Sequence, residues 1–100
     1  MNQFFDELGR RFVAGAHRRA ASIEAPSVDP RVALELLELA RVAAHTRERR
    51  FAPLSCFMAG VAAERLRTSK PGLDQGDVAA YIQEVRQELE AETPEAPSER

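Results

Sequence analysis

The chain has 100 residues, of which 44% are apolar, so it is too short for a barrel or a dinucleotide-binding domain. A single cysteine excludes an intramolecular disulfide, and no apolar run is long enough for a bilayer span or a signal peptide, so we expect a cytoplasmic protein. The net charge of -2 is unevenly placed, with 12 basic and 8 acidic residues in residues 1–70 but 2 and 8 in residues 71–100.

The first predicted helix lies within residues 3–22, where apolar residues recur three or four positions apart. Gly9 and Gly15 each weaken it by about 1 kcal/mol relative to alanine, so we expect it to depend on docking against another surface. Its candidate docking face consists of Phe4, Phe5, Leu8 and Phe12. Paired arginines about eight residues apart form a basic side, which favours a solvated face over contact with a protein, a membrane surface or nucleic acid.

The second helix is predicted from Pro30 to Thr46, with Asp29 as its N-cap. Its apolar residues cover more than one narrow stripe, which predicts a central helix with neighbours on two sides.

The third helix is predicted from Pro53 to Arg67. Its large apolar residues share one side, and these are Leu54, Phe57, Met58, Val61 and Leu66. Small residues nearby permit close approach of another backbone, and these are Cys56, Ala59, Gly60 and Ala63.

The fourth helix is predicted to begin near Asp74 or Asp77 and to end near Glu92, because apolar residues recur there at steps of four, three and four.

Residues 93–100 contain two prolines and no large apolar side chain, so no burial offsets the entropy of ordering them. No alternating pattern predicts a strand. The sequence therefore predicts an all-α fold: a single four-helix bundle-like domain over residues 1–92 with a disordered acidic C-terminal tail over residues 93–100.

A basic cluster precedes the third helix and is the candidate anion site. It comprises His45, Arg47, Arg49 and Arg50, with Ser55 at the predicted start of the helix. Guanidinium groups, a hydroxyl and free N–H groups at a helix start can together bind phosphate or pyrophosphate. The Gly-rich pattern of a P-loop is missing. The alternative is a solvated loop in which acids such as Glu48 pair with the arginines.

The cysteine and the two histidines give weaker signals. Cys56 lies where a helix dipole could favour the thiolate, but it also suits a packed helix as a small apolar residue, and we favour packing. His17 and His45 lie on different predicted helices without metal-ligand spacing, so we expect no metal site. No nucleophile, base and orienting group can be nominated together, so we expect neither catalytic residues nor a cofactor, and no enzyme activity.

Residues 28–66 contain an Asp-led helix with an LLxLAxxxAH core, an Arg-containing turn, and a second helix that starts Pro-Leu-Ser. This stretch resembles a small all-helical domain of unknown function from actinobacteria. The matching residues are Asp29, Leu36, Leu37, Leu39, Ala40, Ala44, His45, Arg50, Pro53, Leu54, Ser55, Phe57 and Gly60. Cys56 departs from the hydroxyl that the family usually has. The resemblance implies an association with molybdenum-cofactor nucleotidyltransferases, and hence an accessory role in molybdopterin-guanine dinucleotide formation or insertion.

We therefore expect a non-catalytic accessory or interaction module. Its expected partner is a protein, either a molybdenum-cofactor enzyme or another complex, with a homodimer as a further option and with neither a membrane nor nucleic acid. The alternative function is a small structural subunit or scaffold that docks through the first helix on an unrelated enzyme complex, with no ligand.

Overall fold

The computed structural model describes residues 3–92, which form four helices and no strand. They are α1 (Gln3–His17), α2 (Pro30–Thr46), α3 (Phe51–Ser69) and α4 (Gln75–Ala91). The all-α prediction is confirmed, whereas the predicted tail, residues 93–100, lies outside the described residues. None of the described helices is long and apolar enough to cross a bilayer. The chain divides into two compact units, one ending at Pro30 and one beginning at Arg31, and the single-domain boundary stays a prediction.

In the first unit, α1 ends at His17, earlier than the apolar pattern predicts. The amide of Ala21 donates to the carbonyl of Ala16 (2.9 Å), and the amide of Ala20 donates to the carbonyl of His17 (3.0 Å). These two bonds form a Schellman motif, in which one residue takes a left-handed conformation. That residue is Ala20, with a φ of 62°. The helix therefore ends by a reversal of the backbone, which the spacing of apolar residues does not reveal.

Gly9 is the buried residue of α1 because the chain beyond the helix lies directly against it. A Cβ atom at this position would be 2.9 Å from the carbonyl oxygen of Pro26, closer than side-chain atoms approach in practice. The glycine lowers helix propensity, as expected from the sequence, but it also permits this close approach of two backbone segments.

In the second unit, α2, α3 and α4 pack around one apolar core in the manner of a helical bundle. The clustered core residues are Val32 and Leu39 of α2, Ala63 of α3, and Val78 and Ile82 of α4. Because α3 contributes an alanine, its backbone can approach the other two helices closely, as its small residues predict. Leu37, one of the apolar residues that predicted a second contact side of α2, is exposed.

The starts of α3 and α4 differ in how they are capped. α3 begins at Phe51, before the predicted Pro53, and Arg50 at its N-cap makes no side-chain capping bond. α4 has Asp74 as its N-cap, which settles the choice between Asp74 and Asp77. The Asp74 carboxylate accepts from the amide of Asp77 (2.9 Å), and the Asp77 carboxylate accepts from the amide of Asp74 (3.0 Å). This reciprocal capping box satisfies donors that a helix start otherwise leaves free.

Candidate functional site

The residues of the candidate anion site lie at the end of α2, in the connection that follows, and in α3. His45, Arg47, Arg49 and Arg50 are exposed, whereas Ser55 is half-buried. The Arg50 Nε donates to the Glu48 carboxylate at 2.7 Å, and one Arg47 guanidinium nitrogen donates to the carbonyl of Thr46 at 3.1 Å. The arginine–glutamate pairing thus has the form expected for the alternative, a solvated charged loop.

The start of α3 offers no free amide in its first three positions. The amide of Phe51 donates to the carbonyl of Glu48 (3.0 Å), and that of Ala52 donates to the carbonyl of Arg49 (3.1 Å). Pro53 has no amide hydrogen. Any anion bound here would therefore be held by guanidinium groups rather than by helix-start amides, and anion binding itself stays a prediction.

Ser55 faces an apolar groove between α3 and α4 rather than the arginines. The groove has a volume of about 220 Å³, and its lining includes Leu39, Met58, Tyr81, Ile82 and Val85. Because α3 begins at Phe51, Ser55 falls beyond the first helical positions, away from those whose amides a helix leaves free. The structure thus separates this hydroxyl from the role that the sequence suggested for it.

Cys56 is half-buried beside α2, where its thiol donates to the carbonyl of Leu36 at 3.6 Å. Burial raises the pKa of the Cys56 thiol. A raised pKa disfavours the thiolate, which is the reactive form of cysteine. The packing role preferred from the sequence therefore suits this position better than a nucleophilic one. Among residues 3–92, no group of three or more His, Cys, Asp and Glu side chains is placed to hold a metal ion.

The candidate docking face of α1 is exposed. Its four side chains, Phe4, Phe5, Leu8 and Phe12, keep between 36% and 63% of their surface accessible. The rings of Phe4 and Phe5 meet edge to face, with centroids 5.0 Å apart. A cavity of about 180 Å³ is lined by Phe5 and Phe12 together with residues 26–28. The docking face thus combines projecting rings with an adjacent recess, as protein-binding surfaces do.

A second exposed apolar surface lies on α3, and we name it the outer stripe: Leu54, Phe57 and Met58. These side chains are 61–73% exposed, while Ala59 and Ala63 on the opposite side of the helix face the core. At 100° per residue, the large and small residues of α3 form two stripes on opposite sides. Both groups of residues could be named from the sequence, but not that Ala59 and Ala63 face the core while Leu54, Phe57 and Met58 are exposed.

A network of ion pairs joins α2 and α4 and was not found from the sequence. The guanidinium of Arg86 binds Glu90 within α4 (3.1 Å) and Glu35 of α2 (3.5 Å), and Arg41 binds Glu90 (3.3 Å) and Glu38 (3.0 Å). Hydrogen bonds from Arg86 and then Arg41 lower the pKa of Glu90. The pKa of Arg41 is raised, chiefly by its hydrogen bond to Glu38. Through Arg86 and Arg41, the network links α4 to α2.

The chain belongs to a family of proteins whose function is unknown. Residues 1–97 match the domain of unknown function DUF6457, so the chain belongs to that family. Comparisons with curated proteins and with solved structures found no significant match. The family is consistent with the helical domain of unknown function expected from the sequence, and it assigns no activity.

Proposed function

We propose that this member of the DUF6457 family is a non-catalytic interaction module that binds a protein partner through the docking face of α1. The observation that carries the proposal is the exposure of four large apolar side chains on one short helix: Phe4, Phe5, Leu8 and Phe12. Aromatic side chains are enriched at protein interfaces and among the residues that dominate binding energy. Leaving such side chains in water is unfavourable, at roughly 25 cal/mol per Å² of apolar surface, so a partner that covers them gains that free energy.

The non-catalytic part of the proposal is supported by the environment of the most nucleophilic side chain. The thiol of Cys56 is bonded to a main-chain carbonyl, and its pKa is raised. A catalytic cysteine instead needs a lowered thiol pKa and a neighbouring base that removes the proton.

The partner that we propose is a molybdenum-cofactor nucleotidyltransferase or a molybdoenzyme. Its support is the resemblance of residues 28–66 to the helical domain associated with those enzymes. The alternative is that the chain is a small structural subunit or scaffold docked through α1 on an unrelated enzyme complex, with no ligand. The two functions predict different binding behaviour. A structural subunit remains bound to its complex at fixed stoichiometry, whereas an accessory module binds its partner and dissociates again.

The test is a direct binding measurement between the purified chain and the molybdenum-cofactor nucleotidyltransferase from the same genome. We expect binding by the wild type and at least about tenfold weaker binding by Phe12→Glu, since the substitution puts a charge in an apolar interface in place of an aromatic contact. Leu37→Glu is the matched control, because Leu37 is exposed on α2 and lies outside both the docking face of α1 and the outer stripe of α3.

Failure of the wild type to bind would remove the molybdenum-cofactor partner. The docking face would then be tested by purifying the chain from its native source: a complex that retains the wild type but loses Phe12→Glu supports the subunit alternative. Equal retention of both variants would remove the docking face of α1 from either function.

A further inference from the structure

The outer stripe of α3 exposes three large apolar side chains on the side of the helix opposite the core. Leu54, Phe57 and Met58 are 61–73% accessible, and Val61 continues the same face one turn later. The spacing of these four residues, i, i+3, i+4 and i+7, is that of a helix face that packs against another helix. Within the described part of the second unit, the core is built on the other side of α3.

The side chains of the outer stripe form a ridge with a recess on each side. On one side of Phe57 and Val61 lies a recess bordered by Gly60 and Glu64, and on the other lies a recess bordered by Ala62 and Tyr81. Gly60 has no side chain, and a Cβ atom at this position would contact nothing beyond its own stretch of helix, so this border is low. Helices pack by placing ridges of side chains into such grooves. Such a surface can pack against a second copy of itself about a two-fold axis, with the ridge of each copy in the groove of the other.

The area of the stripe also suits association. With about 200 Å² for a fully exposed large side chain, the exposed fractions of these three residues correspond to roughly 400 Å² of apolar surface. A standard interface takes about 800 Å² from each partner, and about 65% of a homodimer interface is apolar. The stripe therefore supplies most of the apolar surface that one subunit of a dimer must contribute.

We propose that the outer stripe of α3 is covered by a second copy of this chain, so that the protein forms a homodimer with α3 packed against α3 about a two-fold axis. The border of the stripe carries charges of both signs, because Glu64 and Arg65 both line the recess beside Phe57 and Val61. A border with both signs matches a second copy of itself, whereas a partner of one strong charge would meet repulsion along part of it.

The experiment is sedimentation equilibrium of the full chain from about 1 to 200 µM, the range in which weak to moderate dimers dissociate. We expect the wild type to approach twice the 11.1 kDa mass of one chain as concentration rises. Phe57→Glu places a charge on each side of the two-fold axis and should weaken dimerisation by about 100-fold. Leu54→Glu, at the end of the same stripe, should weaken it in the same direction. Circular dichroism checks that both variants keep the helical content of the wild type.

The matched control is Phe4→Glu, which makes the same substitution on the docking face of α1 and should leave the dimer intact. A wild type that stays monomeric over the whole concentration range would overturn the proposal. So would a dimer that Phe4→Glu dissociates and Phe57→Glu does not. These outcomes are independent of the proposed function, because dimerisation is measured with the pure protein and partner binding is measured through the other helix.

Discussion

Arg86 is the side chain whose removal should most clearly test the electrostatic account of the second unit. Its side chain and that of Glu35 are only 15% and 14% exposed, and the ion pair between them joins α4 to α2 at 3.5 Å. The Nε of Arg86 is buried without a hydrogen-bond partner in the described structure. Substitution by methionine keeps the apolar stem but leaves the Glu35 carboxylate buried without this partner.

The expected magnitude follows from two opposing contributions. Loss of a hydrogen bond between charged groups costs about 1.5 to 3 kcal/mol, and the cost is greater when the remaining charge is buried. Removal of the unpartnered Nε returns about 1 kcal/mol. We therefore expect Arg86→Met to lower the free energy of unfolding by about 2 kcal/mol, which for a unit of this size corresponds to a fall in Tm of about 10 °C.

Arg67→Met is the control, because Arg67 and Glu64 form an ion pair at the same distance, 3.5 Å, but are 44% and 74% exposed. Exposed pairs contribute about 0 to 1 kcal/mol, so this variant should melt close to the wild type. The assay is urea unfolding followed by circular dichroism at pH 7. The double variant Arg86→Met/Glu35→Met should recover much of the loss, because no unpaired charge remains. Equal stability of Arg86→Met and Arg67→Met would refute the reasoning that burial decides the value of these pairs.

Three further predictions concern other parts of the chain. Gly9→Ala should destabilise α1 by about 1 to 3 kcal/mol, because its Cβ atom would lie 2.9 Å from a backbone oxygen. Gly15→Ala should instead stabilise α1 by about 0.5 to 1 kcal/mol, because its Cβ atom would make only ordinary contacts. Hydrogen exchange of the α1 amides measures both effects. The pKa of Asp74 is lowered chiefly by the hydrogen bond that its carboxylate accepts from the backbone amide of Asp77. The charged form therefore stabilises the fold at any pH above the unfolded pKa of about 3.9. This contribution is lost as the pH falls through the lower pKa of the folded state. Asp74→Asn should therefore be less stable than the wild type at pH 7 and equal to it near the low end of an acid titration followed by circular dichroism. Arg49→Ala/Arg50→Ala should weaken pyrophosphate binding by about 100-fold in calorimetric titration at low salt, and the absence of heat with the wild type at millimolar pyrophosphate would remove the anion site.

The helices could be predicted from the sequence wherever a local signal marks their ends. Asp29 and Pro30 indicated the start of α2, and Asp74 and Asp77 were the two candidates for the start of α4, of which Asp74 is the N-cap. The start of α3 was predicted too late, because proline is also accepted at the third helical position, where Pro53 lies. The end of α1 was missed, since alanine at position 20 gives no sign of a left-handed conformation.

The candidate sites were less predictable, because they depend on which side of a helix faces the core. The apolar residues of α3 occupy both sides of the helix, so periodicity alone could not decide between them, and burial selected the small side with Ala59 and Ala63. Ser55 was placed with the arginines by its distance along the chain, but the helix turns it toward the α3–α4 groove. The exposed docking face of α1 agrees with its apolar spacing, and its role in binding stays a prediction.

The inward orientation of alanines on α3 has a consequence for the thermodynamics of the second unit. The heat capacity change of unfolding rises with the apolar surface newly exposed to water. Leu54, Phe57 and Met58 are already exposed in the folded state, so unfolding one chain hydrates little more of them. The heat capacity change of the monomer should therefore lie below the usual value of about 12 to 15 cal/mol/K per residue, and its stability should vary only gently with temperature. Unfolding of the proposed homodimer also hydrates the stripe, so its heat capacity change should be larger per chain.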